Sequence, residues 1–339
     1  MVNFIKMHIK AIATFIVIAA SIALAFTSSY FVFVGINAII NAIAVIGIVV
    51  VTGFARQLHL GQAAFLGIGA YTSAILMTRF GMNFWLTIPV AIILAGLFGV
   101  LLGIPTLKLQ GGPYLALVTQ LFGEIIFLLL INLTFLTGGP FGISGIPAPN
   151  IGPISFFELR MYFMLCLAFL IMAYFVAKRI TVSKYGRFFI TIKESEAAAQ
   201  SVGINTMKYK IIAFTIAAML GGLAGVLYGP FIGFISPEQF RWAPSLILIS
   251  MAIVGGLSDL RGGIIGAVLL TFLPELLRAT NQLRMILFGL LLIFTLALMP
   301  DGIISLFGKS PSQLKEMFVA RIKDMFDREE QPKKLKKTA

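Results

Sequence analysis

Ten stretches of apolar residues recur along this 339-residue chain at the length a bilayer demands: 11–27, 31–52, 60–78, 84–105, 113–136, 160–178, 210–230, 242–257, 263–278 and 283–299. A helix needs roughly 20 such residues to cross a hydrocarbon core about 30 Å thick. Polar residues gather in the connections between the stretches. The pattern predicts an all-α fold, a polytopic transmembrane helical bundle of about ten spans. Two stretches fit less well. The one from Trp242 to Leu257 is short and interrupted by glycine, and 263–278 holds Pro274 and Glu275. A broken or partly re-entrant helix is expected there, which protein burial would permit. The chain divides into a membrane domain over 1–307 and a polar, basic tail over 308–339, with a short surface helix expected near 312–328. No internal sequence repeat is visible.

Composition narrows the choice of solvent. Charged residues make up 12% of the chain and hydrophobic residues 59%, against about 25% charged in soluble domains. Lipid must therefore surround much of the surface. The net charge of +13 would point to nucleic acid in a soluble protein. Here the basic residues sit in connections and in the tail, where they orient the chain and touch lipid headgroups. With the N-terminus placed inside, 21 of the 26 Lys and Arg fall on the inner side, leaving Arg79, Arg160, Arg241, Arg278 and Arg284 outside. That skew favours both termini in the cytoplasm and an even number of spans. Lys6 and Lys10 precede the first stretch, and no small-x-small site follows within 27–33, so an uncleaved first span is expected. Cys166 is the single cysteine and reads as a small buried hydrophobe.

Two connections are long. The outer one, about 137–158, is rich in Gly and Pro and is expected to fold back onto the bundle. The inner one, about 178–210, carries a helix signal. Thr191 to Glu194 fits a capping box, Glu196-Ala197-Ala198-Ala199-Gln200 favours helix, and Gly203 is placed to end it. A cytoplasmic helix over about 192–202 is expected, with a smooth face at Ala197, Ala198 and Ala199. It lacks bulky apolar side chains after Ile192, which argues for a protein-docking surface over a helix resting on lipid.

Polar residues inside spans are the remaining candidates. Gln120 and Glu124, four apart, share one face of a span, and an intramembrane carboxylate is a functional candidate by default. A translocation pathway and a structural pairing both fit it. Asn37 and Asn41, also four apart, are placed to hydrogen-bond across helices. Glu275 and Arg278 are spaced to pair near the outer surface, and His59 is expected at the membrane interface. Gly61, Gly67, Gly69, Gly221, Gly222 and Gly225 read first as close-packing positions. The two histidines and one cysteine form no nucleophile–base or metal constellation, so catalysis is not expected. Gly308-Lys309-Ser310 ends like a phosphate loop, but the first glycine of that loop would stand at position 303, which is Ile.

Several segments resemble, in order, the branched-chain amino-acid permeases of ABC transporters of the LivM type. They are Gly53 to Leu58, Leu60 to Tyr71, Tyr114 to Thr119, Phe122 to Ile126, Thr137 to Pro147, Gly186-Arg187, Glu194 to Asn205, Ser236-Pro237-Glu238 and Gly255-Gly256-Leu257. The resemblance covers nearly all of 35–302. It departs at His59, Gln120, Asp259 and Arg261, and in the cytoplasmic motif, where Gly203 stands one residue later than usual. The resemblance implies an ABC importer permease fold in a bacterial inner membrane, moving Leu, Ile and Val inward. It implies a second homologous permease, two ABC ATPase subunits and an external solute-binding protein as partners. ATP and Mg would sit on the ATPases, with no cofactor on this chain. Glu194, Glu196, Ala197, Ala198, Ala199 and Gly203 would form the coupling helix. Related permeases carry urea or short amides, and physics alone leaves an ion-coupled secondary transporter as the runner-up.

Overall fold

A computed structural model describes residues 28–106, 112–151, 154–277 and 302–306, with isolated positions between 286 and 299. The stretch 11–27, nearly all of 283–299, Arg278 and the tail over 308–339 lie outside the described residues. The helices are α1 (Ser29–Ile48, continued by a π-helical end, Val49–Phe54), α2 (Gln62–Thr78), α3 (Phe84–Thr106), α4 (Gly112–Asn132), α5 (Leu159–Val182), α6 (Lys184–Glu194), α7 (Glu196–Ser201), α8 (Thr206–Ile232), α9 (Trp242–Gly255) and α10 (Leu260–Leu276). Among them, α1, α3, α4, α5 and α8 are long and apolar enough to cross a membrane unaided. The helices α2, α9 and α10 have 17, 14 and 17 residues, about 25, 21 and 25 Å at the helical rise. They fall short of a full crossing.

Two of these short helices have a common cause. After the π-helical end of α1 the chain runs back into the bundle, and α2 starts deep inside it. The Gln62 side chain donates to Ala44 O on α1, and Ala44 lies ten residues before the end at Phe54, or about 15 Å of helix. After α8 the chain turns at Gly233, then runs inward through Phe234–Ile235 and a 3-10 turn, Pro237–Phe240, before α9 begins. The stretches 60–78 and 242–257 are thus the short helices Gln62–Thr78 and Trp242–Gly255, each preceded by backbone that runs inward outside any α-helix. The break expected within 263–278 does not occur, because Pro274 sits in the last turn of α10 and the helix continues past it.

The two long helices α1 and α8 run antiparallel through the centre. Phe33 lies tilted against Phe231 at 4.8 Å between ring centroids, and fourteen residues on, Gly47 abuts Ala217. Helices α2 and α3 pack on α8, whereas α9 and α10 pack on α1. Two halves of the central core, residues 29–106 and 206–276, are thus each a long helix, a back-running segment, a short helix and a further helix, one inverted and interlocked with the other. No sequence repeat announced this, because packing needs only matched shapes. Glycine permits the closest contact: a Cβ at Gly69 would meet the Gly222 carbonyl, and one at Gly225 the Leu66 carbonyl.

The Gly- and Pro-rich connection does fold back. Its strand β1 (Ile143–Ser144) pairs antiparallel with β4 (Phe234–Ile235), while β2 (Asn150–Ile151) pairs with β3 (Ile154–Ser155). Ile143 and Ile146 are buried, and Trp85 Nε1 donates to Asn150 O at 2.8 Å. The outer surfaces of α3 and α4 are apolar at three- and four-residue spacing: Leu86, Val90, Ile93, Leu97, Leu101 and Ile104, then Tyr114, Leu117, Leu121, Ile125 and Leu128. Such unbroken stripes fit lipid as solvent.

Candidate functional site

The surface helices at one end are built differently from the sequence expectation. Helix α6 runs through Thr191, whose hydroxyl donates back to Arg187 O at 3.0 Å, so Thr191 caps nothing. The cap is Ser195. It is extended at φ −156° and ψ 117°, and its side chain accepts from Ala198 N. The helix expected over 192–202 is thus two helices meeting at Ser195. The second, α7, ends at Gly203, whose φ of +79° belongs to the left-handed region.

These two helices are held down from beneath. Phe189, Ile192 and Ala199 are buried, which corrects the reading of 197–199 as one open face. Ala197, Ala198, Glu194 and Gly203 are exposed. Three polar contacts join α6 and α7 to the two central helices. Lys193 Nζ donates to Gly53 O at 2.8 Å, and Arg56 Nη1 donates to Lys193 O at 3.2 Å. Lys210, near the start of α8, meets Glu196 at 2.6 Å. Close by, a Cβ at Gly53 would meet the Leu257 carbonyl. Asp259 caps α10, and Arg261 Nε donates to the Tyr174 hydroxyl at 3.1 Å. The charged departures Asp259 and Arg261 therefore have local structural partners.

At mid-depth lies a cavity of about 230 Å³. It forms where both short helices begin: Ala63 and Leu66 come from α2, and Pro244, Ile247 and Leu248 from α9. The two helix starts touch, since Ala63 N donates to Ser245 Oγ at 2.9 Å. Asn37 and Asn41 of α1 line it, as do Tyr228 of α8 and Gln239 and Phe240 of the 3-10 turn. Asn41 does reach another helix, donating to Thr271 Oγ1 at 3.2 Å, whereas Asn37 donates within α1 to Phe33 O. Gln239 and Tyr228 escaped sequence reasoning because they belong to separate elements that only the fold brings together.

Gln120 and Glu124 lie on α4, outside the cavity lining. Glu124 pairs with Arg241 at 3.6 Å, and the Arg241 guanidinium sits 5.0 Å from the Phe127 ring centroid. The carboxylate is thus matched by a cation that precedes α9. Glu275 accepts from the Tyr30 hydroxyl at the far end of α1. His59 is not interfacial: it is fully buried, faces Phe65 and Phe214 and hydrogen-bonds Gln62 Oε1 at 3.1 Å. The back-running segment carries it inward.

Long central helices, short helices starting at mid-depth and a polar cavity between them define a membrane permease. The chain belongs to the family of branched-chain amino acid transport system permease components, whose family model matches residues 30–296. It is 35% identical over 282 residues to the high-affinity branched-chain amino acid transport system permease protein LivM of Escherichia coli strain K12, and equally to that of Salmonella typhimurium. Each match covers 76% of this chain and 66% of the relative, so the chain spans just under two thirds of their length. A probable LivM permease of Methanocaldococcus jannaschii is 26% identical over 237 residues, covering 63% of this chain and 67% of that one. The autoinducer 2 import system permease protein LsrC of Photorhabdus laumondii is 29% identical over 154 residues, 43% of each chain. No solved structure matches.

Proposed function

We propose that this chain is the membrane-spanning subunit of an ATP-binding-cassette importer, moving Leu, Ile and Val inward on ATP hydrolysed by separate subunits. The family and the LivM relatives support the solute class. The seating of α6 and α7 carries the mechanism. Exposed Glu194, Ala197 and Ala198 offer a smooth surface to an ATPase. The contacts beneath, Lys193 to Gly53 and Glu196 to Lys210, join that surface to the ends of α1 and α8. A push on α7 reaches both halves of the bundle at once, and a nucleotide on the ATPase biases two packings of those halves. ATP and Mg bind on the ATPases in this reading. A second permease completes the pathway, and a solute-binding protein delivers to the opposite face. The surface end, rich in Lys and Arg from Arg56, Lys178, Arg179, Lys184 and Arg187, lies in the cytoplasm of a bacterial inner membrane. The Glu124–Arg241 pair disfavours an ion-coupled transporter, because it leaves no lone intramembrane carboxylate on α4 to carry a coupling proton.

Ala197→Arg tests the docking surface without disturbing the buried contacts. Membrane insertion is expected to stay normal, while co-purification of the ATPases and solute-stimulated ATP hydrolysis fall at least tenfold. Gly203→Val should act in the same direction more weakly, since a β-branched residue at positive φ strains the end of α7. Unchanged ATPase stimulation in both variants would sink the docking role.

A further inference from the structure

The mid-depth cavity carries a recognition pattern that its hydrogen bonds make readable. Asn37 Nδ2 donates to the Phe33 carbonyl at 3.3 Å. A carbonyl accepts and never donates, so this bond fixes the nitrogen and leaves Asn37 Oδ1 as a free acceptor. Gln239 Oε1 accepts from Ser236 N at 3.2 Å. A backbone N–H only donates, so this fixes the oxygen and leaves Gln239 Nε2 as a free donor. Asn41, one turn along α1 from Asn37, uses its amide nitrogen on Thr271 and keeps an amide oxygen spare. The Tyr228 hydroxyl also has no protein partner among the described residues. All four side chains are half-buried. The cavity therefore presents acceptors from α1 and, from the α8 side and the 3-10 turn, a donor and a hydroxyl.

The rest of the lining is apolar: Ile40, Leu66, Phe240, Ile247 and Leu248. Among the described residues, no charged side chain lines it. An ion of net charge would find no counter-charge, which makes its burial costly. A zwitterion is neutral overall, and its two ends can each be met by dipoles. The cavity volume of about 230 Å³ lies below the roughly 300–1,000 Å³ of drug-sized sites. That size suits one small solute molecule.

We propose that this cavity is the solute subsite of the permease, with Asn37 and Asn41 accepting from the ammonium of a zwitterionic amino acid, Gln239 and Tyr228 donating to its carboxylate, and the apolar wall holding an aliphatic side chain. This rests on the amino-acid import proposed above and adds where and by which atoms the solute is held. The site lies at the junction of the two interlocked halves, lined by α1 and α8 and by the starts of α2 and α9. A change in how the halves pack therefore changes the site itself.

The test uses the complete transporter in proteoliposomes with ATP inside, measuring uptake of leucine and of its amino alcohol, leucinol, which keeps the ammonium and lacks the carboxylate. Asn37→Leu should raise the KM for leucine by about tenfold to a hundredfold, the range for a lost hydrogen bond to a charged group. Tyr228→Phe should also raise the KM for leucine, and should change any leucinol uptake much less, because leucinol offers Tyr228 a neutral hydroxyl in place of a carboxylate. Asn37→Asp should shift preference toward leucinol, since a carboxylate now faces a cation; a misfolded protein cannot mimic that gain. Unaltered KM and preference in all three variants, with wild-type leucine uptake intact, would overturn the subsite and spare the import reading. A wild-type complex that takes up no amino acid would overturn the import reading, and the subsite with it.

Discussion

Gly69→Val is expected to abolish the folded protein. The Cβ it introduces would fall on the Gly222 carbonyl of α8, a backbone atom that no rotamer change can move. Relief requires α2 and α8 to separate along their whole contact, which Gly225 against the Leu66 carbonyl makes equally tight. Ordinary overpacking costs about 1–3 kcal/mol, and a backbone-on-backbone clash exceeds that range. The total stability of a protein is only about 5–15 kcal/mol, so little folded material should survive. Size-exclusion chromatography of detergent-extracted protein would show aggregate or no peak. Gly123→Ala is the matched control. Nothing lies within 4 Å of its Cβ position, and alanine favours helix over glycine, so that variant should be at least as stable as the parent. A monodisperse Gly69→Val protein would contradict the packing described for the two halves.

Gln62→Leu is expected to lower the thermal midpoint in detergent by roughly 5 °C, given about 1–3 kcal/mol for a stranded buried polar group and about 2–4 °C per kcal/mol for a chain of this order of size. Gln62 Nε2 donates to Ala44 O at 3.0 Å and Ala217 O at 3.1 Å, so its two hydrogens are used. Its Oε1 must then accept, and His59 Nε2 must carry the proton that it accepts. Leucine would leave that N–H unpaired in a fully buried position and would cut the polar link between α1 and α8. Replacing both partners, Gln62→Leu with His59→Phe, should recover part of the loss, because two apolar groups strand nothing. Equal midpoints for Gln62→Leu and the parent would contradict the link.

What the sequence could convey followed physical range. The long helices α1, α3, α4, α5 and α8 were legible because hydropathy is a local signal summed over about 20 residues. The back-running segments were not, since residues 55–61 and 233–241 carry polar residues such as Arg56, Gln57, Ser236 and Glu238 and so read as ordinary connections between spans. The signals available were Gly61, Gly233 and Pro237, and they mark a turn without its direction. At the surface helices the sequence pointed to Thr191 as the cap, and the structure uses Ser195. Ser195 won because Phe189 and Ile192 anchor α6 beneath it, a tertiary fact. Asn37 and Asn41 could be chosen from spacing alone. Gln239 and Tyr228 could not, and neither could the partner of Glu124, which lies 117 residues away at Arg241.

The most direct test is uptake of radiolabelled leucine by this chain, reconstituted in proteoliposomes with the proposed second permease, ATPases and solute-binding protein. Accumulation that requires ATP and is competed by isoleucine and valine is expected. Accumulation that persists without ATP and collapses with an ion gradient, or no uptake of any branched-chain amino acid, would contradict the proposed function.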